Sequence, residues 1–204
     1  MWALVEDNAI TKIINNPKAM VIGDVRHSRN IFSFRWTNEE REAIGIYEIV
    51  IDNSNKRDEA YYNNTNQSFN FADGVATASY GTATAKELDD RNGTDEDGEE
   101  LDPVVVIEGL KTKHKRVIKN QASGLLEPTD WYNHKALDDE TFTIPANITT
   151  YRANVRTKSN TMETAIDNAA DVDALATLYE YVNTGTEENP VMERPLGEWP
   201  VLEV

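Results

Sequence analysis

The sequence predicts an α+β fold in which a strand-rich part precedes a helical part. Three observations predict it. Up to residue 81, apolar residues alternate with polar ones or come in short runs broken by turn formers. Beyond residue 107 the apolar spacing changes to three and four, the period of one helix face. Between them, residues 82–106 are small, acidic and glycine-containing, with Pro103 near the end, which is the composition of a linker. The expected division is a β-rich module with one short helix at 1–81, an acidic linker at 82–106, and a helical module at 107–204. That last module comprises a helical hairpin, a third helix and an extended C-terminal arm.

The first element is a hairpin: "WALVEDNAITKII" places two apolar runs around a polar Glu6-Asp7-Asn8 turn, and Pro17 stops the second run. In "WTNEEREAIGI", Thr37 stands three residues before Glu40, the spacing of a capping box, and Gly45 ends the short helix. "IYEIVID" returns to strand, with Ile46, Glu48 and Val50 on one face, and Glu48 and Asp52 turn the other face, Tyr47, Ile49 and Ile51, toward the core. A second hairpin follows, with Phe69 and Phe71 before an Asp73-Gly74 turn and Val75, Thr77 and Ser79 after it.

In the second half, Ile107, Leu110, His114, Val117, Ile118, Ala122 and Leu125 make one helix face, and Pro128 closes the segment. A second helix opens at Pro145, since a first turn tolerates the missing N–H. Its stripe is Ile148, Tyr151, Val155, Met162, Ile166 and Ala169. A third starts after Asp171 as N-cap, shows Leu175, Leu178 and Val182, and stops at Gly185. The three prolines of the tail predict an extended arm, with Trp199 as its anchor.

The chain of 204 residues contains no cysteine, which excludes disulfides, thiolate nucleophiles and cysteine-held zinc or iron–sulfur sites. It has no apolar run long enough to span a bilayer, and its first residues lack the pattern of a secretory leader. The formal net charge is −16, and residues 87–102 alone hold nine acids against one arginine. A polyanionic surface favours solubility and disfavours nucleic acid and anionic membranes, so neither is expected as a partner.

Motifs for chemistry are correspondingly few. No phosphate-binding glycine loop, nucleophile elbow or zinc-protease helix occurs. His27, His114 and His134 are isolated from one another, and His114 reads as a half-buried structural residue. The run "NGTDEDGEE" resembles a calcium loop only in its middle. Aligned on Gly98 it puts Gly93 at the first ligand position and Val104 at the twelfth, so a solvated acidic linker is the expectation. The basic run 111–119 lies on the outer side of an amphipathic helix without interleaved aromatics, a solvated face that the acidic segment can neutralise. No catalytic, cofactor-binding or metal-binding residue is predicted. An enzymatic reading would need two carboxylates, Asp95 and Asp97 foremost, held at a fixed separation, and the composition around them argues against it.

The remaining constellation is "EPTDWY" followed by "TYRANVR". Thr129 or Asp130 can cap a chain reversal after Pro128. Trp131 would cover the end of the helix pair, a burial worth about 2–3 kcal/mol. Arg152 and Arg156, one turn apart, could bond Asp130 or lie over the Trp131 ring. Thr129, Asp130, Trp131, Tyr151, Arg152 and Arg156 thus read as a structural clasp joining two helices.

Leu125, Leu126, Thr129, Asp130, Trp131, Tyr151, Arg152, Arg156 and the terminal Trp199-Pro200 resemble the helical module of phage tail assembly chaperones and tail-fibre-associated proteins. The opening residues, from Met1 to Asp52, look like the N-terminal part of phage virion proteins that carry this module. The chain departs from the family pattern after Arg156, where an additional helix intervenes before the Trp-Pro end. The resemblance implies a non-enzymatic structural component of a tailed-phage virion, a tail or tail-fibre adaptor made in the host cytoplasm and located in the tail. It implies a homo-oligomer whose partners are other virion proteins, with Trp199 and Pro200 at a partner surface. The alternative is a tail or fibre assembly chaperone that is absent from the mature particle.

Overall fold

The computed structural model of the chain describes residues 1–203 and has an α+β architecture. It divides into two compact units, residues 1–84 and 85–204.

The first unit is built on a five-stranded sheet. In chain order its strands are β1 (Trp2–Glu6), β2 (Ala9–Ile14), a small β3 (Met20–Ile22) and β4 (Val25–His27) hairpin, and β5 (Ile46–Asp52). The two-residue β6 (Tyr62–Asn63), which like β3 and β4 lies outside that sheet, is followed by β7 (Gln67–Ala72) and β8 (Val75–Tyr80). The sheet order is β2-β1-β5-β8-β7, antiparallel throughout except for the parallel pair β5–β8. Both predicted hairpin turns form with two successive residues at positive φ, Asp7 and Asn8 in one and Asp73 and Gly74 in the other. That is the turn whose twist matches paired strands.

The run "WALV" is apolar throughout because β1 is central and buried on both faces. Ala3 and Val5 pack on one side with Ile49, Ala76 and Ala78. The three alanines leave room there for Tyr47 and Phe71, whose rings meet edge to face at 4.6 Å. Leu4 packs on the other side with Ile14 and Ile46, covered by Met20, Ile22, Phe32 and Ile44. The alternation expected for β5 therefore needs correction. Ile46 is fully buried on the second face, whereas Ile51, on the face of Ile49, is half exposed and belongs to neither buried cluster.

Helix α1 (Asn38–Glu42) opens with the predicted capping box, with both reciprocal bonds between Thr37 and Glu40 in place. Gly45 ends it at φ 81°, where a Cβ would lie 2.6 Å from the Val5 carbonyl oxygen, so only glycine fits. Arg41, whose burial the sequence did not announce, bonds the carbonyls of Ile31 and Ser33 and the Asn38 side chain. Its guanidinium also stands 4.7 Å from the Trp2 ring centroid.

A two-residue strand β9 (Thr84–Ala85) stands at the boundary. The second unit continues with β10 (Arg91–Asn92) and β11 (Val106–Ile107), which pair antiparallel, and a Thr94–Glu100 bridge lies between them. The acidic segment expected as a linker is thus a small hairpin, and Ile107 belongs to it rather than to the helix.

Four helices follow: α2 (Leu110–Leu126), α3 (Asp130–Asp138), α4 (Ala146–Asp167) and α5 (Val172–Thr177). The α4 stripe is buried as expected, with Val155, Met162 and Ile166 fully so. On α2 the expected stripe holds except at Val117, which is half exposed. The chain does not reverse after Pro128. A 3-10 turn at Glu127–Thr129 carries it directly into α3, and the reversal comes later, through residues 139–145. Asp171 caps α5 through the Ala174 amide, but α5 ends near Leu178. Val182 lies instead in a hairpin of β12 (Val182–Asn183) and β13 (Met192–Glu193).

Candidate functional site

The clasp exists, with a different division of labour from that expected. A helix leaves its last four carbonyls without intrahelical partners, and these carry partial negative charge. Where α2 ends, α4 supplies donors. The Tyr151 hydroxyl donates to the Leu125 carbonyl at 3.3 Å, and one Arg152 nitrogen donates to the Leu126 carbonyl at 2.9 Å. The same nitrogen reaches Thr129 Oγ1 at 2.6 Å, and the other donates to Asp130 Oδ1 at 2.7 Å. Thr129 in turn donates to the Leu126 carbonyl. Arg152 is only 6% exposed, so its charge is balanced by a carboxylate and by helix-end oxygens in a low-dielectric place.

Trp131 is not the cover of this joint. It is 51% exposed and turns outward to stack on Tyr132 at 3.8 Å, with Phe142 beside them. The physical reason is the continuation of the chain as α3: Asp130, at its start, points to Arg152, and the next side chain is rotated about 100° away. Arg156 likewise reaches neither Asp130 nor Trp131; its one contact in the clasp is a 3.5 Å bond to the Arg152 carbonyl.

The place expected for Trp131 is taken by the C-terminal arm. Trp199 packs with Leu125, Leu126 and Leu202 against Ala122, Tyr151 and Val155. Its indole N–H donates to Gln121 Oε1 at 3.1 Å. Farther along, the Asn147 side chain donates to the Glu203 carbonyl. Trp199, expected at a partner surface, is thus engaged by its own chain, with Pro200 half buried next to it. Open grooves of about 400 Å³ and 320 Å³ flank the arm, lined chiefly by Asn147, Tyr151 and Asn154 and by Thr157, Lys158 and Glu198.

The basic run of α2 is neutralised, but only Lys111 by the acidic segment; Lys115 and Lys119 turn to α4 rather than to solvent alone. Lys111 pairs with Asp89 of the acidic segment, Arg116 with Glu108, Lys115 with Asp167 and Lys119 with Glu163. The same segment caps the helix. Gly109, the N-cap, has no side chain to offer, so the Asp90 carboxylate accepts from the Gly109 amide at 2.8 Å and the Thr112 hydroxyl at 2.9 Å. The carbonyls of Glu87 and Leu88 take the next two amides. Those bonds, the Gly109 amide first, hold Asp90 below the ordinary carboxylate range. His114 is half buried with Nδ1 2.8 Å from the Tyr179 hydroxyl, and burial lowers its pKa.

Asp95 bonds the amides of Asp97 and Glu99, closing the tip of the acidic hairpin. Among the described residues no three His, Asp or Glu side chains converge as a metal-holding group. Sequence reasoning missed Arg41, Asp90 and Gln121. Arg41 through the Ile31 and Ser33 carbonyls, Asp90 through Gly109 and Gln121 through Trp199 act on partners that no local spacing marks.

Comparison of the chain with known protein families, with curated proteins and with solved structures finds no match.

Proposed function

We propose that this chain is a non-enzymatic structural component of a tailed-phage virion, a tail or tail-fibre adaptor that acts by self-association and docking. The observation that carries the reading is the use made of its distinctive polar side chains. Arg41, Arg152, Thr129, Asp130 and Trp199 all bond within their own units. Such a chain presents shaped surfaces on two stable bodies, which is what an adaptor requires. The resemblance of the clasp and Trp-Pro residues to tail-associated proteins supplies the biological setting. The acidic surface suits a protein that must stay dispersed until it meets its partners.

Quantitative mass spectrometry of purified particles tests the proposal. The expected result is several copies of the chain per particle. Presence in the infected-cell lysate with absence from the particle would replace the adaptor with an assembly chaperone.

A further inference from the structure

We infer that the N-terminal unit carries a basic, apolar docking surface for the acidic hairpin of a second copy of this chain, so that copies join head to tail. The inference rests on the self-association proposed above and names the surfaces that perform it.

The first surface lies between residues 18 and 36, where four cations stand against one acid in a chain of net charge −16. Among the described residues no carboxylate pairs with Arg26, Arg29 or Arg35, and all three are exposed. Phe34 is 94% exposed, and a ring so placed retains nearly all of its burial energy for a partner. Val21, exposed and directly across the β3–β4 ladder from Arg26, adds apolar area on the same face. The rings of His27 and Trp36 meet at 6.4 Å, which brings the chain at residues 26–27 back beside that at residues 35–36.

The second surface has the opposite sign and a matching texture. The hairpin bridged at Thr94–Glu100 carries Asp95, Glu96, Asp97, Glu99, Glu100 and Asp102. The run Val104 to Ile107 follows it directly, each residue 40–57% exposed. Four successive half-exposed β-branched residues form an apolar strip bordered by acid. Charge complementarity selects a second copy as the occupant. Other apolar patches are poor receivers of the acidic hairpin because their own borders are acidic: Leu137 neighbours Asp138, Asp139 and Glu140, and the β12–β13 hairpin carries Glu187, Glu188 and Glu193. The surface around Phe34 reverses the sign and keeps its arginines free of carboxylate partners among the described residues. Two different patches meeting make a heterologous contact, which propagates into a ring or a filament.

The test uses the full chain in sedimentation equilibrium, from about 10 µM to about 1 mM at physiological salt. The expected result is a mass that grows with concentration and falls back as salt rises, because patch attraction is screened. Two variants carry neutral changes: R26Q/R29Q/R35Q on one surface and E96Q/D97N/E99Q on the other, with Asp95 retained for its turn. Each should weaken association about tenfold or more with an unchanged circular dichroism spectrum. Mixed in equal amounts they should form a complex that stops at two chains, since each variant keeps the face the other lacks. A wild type that stays monomeric, variants that associate like wild type, or a mixture that does not pair would each overturn the inference. So would a monomeric chain whose arginine variant loses binding to a single-stranded oligonucleotide, which would assign the surface to nucleic acid. Solution mass and presence in particles are independent readouts, so the failure of one leaves the other standing.

Discussion

Replacing Arg152 with methionine keeps much of the stem volume and removes the donors that hold the Leu126 carbonyl, Thr129 and Asp130. The expected loss is about 2–3 kcal/mol, the scale for hydrogen bonds to a charged group whose partners are left behind. Trp131→Ser, on an outward and half-exposed ring, should cost less than about 1 kcal/mol. Urea midpoints of the two variants check the order, and the reverse order would restore the tryptophan as the latch. His114 offers a pH test. Burial disfavours its charged form, so the unfolded chain binds that proton more readily. Its contribution to stability is complete above the ordinary value of 6.5 and is lost as pH falls from there through the lowered one. An NMR titration of the His114 ring should show a midpoint below 6.5. The residue types of the clasp were legible, because the Thr129-Asp130 pair after one helix and the Tyr151-Arg152 pair on the next offer matching acceptors and donors. The direction of Trp131 was not: it depends on whether the chain turns or stays helical after Pro128, and a 3-10 turn that accepts proline at its start left the second outcome open.

Among the elements, α1 and the two type I′ turns were readable because their signals are local. A capping box and an Asp-Gly pair carry their own partners within four residues. The start of α2 was not readable, because its cap is Asp90, 19 residues before Gly109. Asp90→Ala should therefore expose the first turn of α2, raising amide hydrogen exchange at Leu110 to Thr112 at neutral pH. The depressed Asp90 carboxyl sets the acid limit of this effect. Its stabilisation is present above the ordinary value of 3.8 and lost as pH falls through the lowered one, so in strong acid the two proteins should exchange alike. Protection that is equal at neutral pH would show that the backbone carbonyls of Glu87 and Leu88 cap the helix unaided. The parallel β5–β8 pair was equally hidden. Alternation places side chains on faces but does not say which strand lies beside which.

For the whole molecule, the α+β division was legible because a change of apolar period is a long-range signal that many residues share. The boundary was misplaced because composition alone marked residues 82–106, and acidity is also what a helix N-terminus attracts. Fragments 1–84 and 85–204 should each fold when made separately, judged by cooperative thermal unfolding and dispersed amide spectra. A fragment beginning at residue 107 should melt well below the one beginning at 85.

The reason is the close seating of Gly109 under the Asp89 carbonyl, where even a methyl group would overlap backbone. That contact makes the acidic stretch behave as a prosthesis for the helix behind it. A protease nick or an inserted tag within residues 87–90 would be felt at Leu110 rather than where it was made. A graft of α2–α4 into another scaffold would have to bring those four upstream residues along or supply a substitute anion.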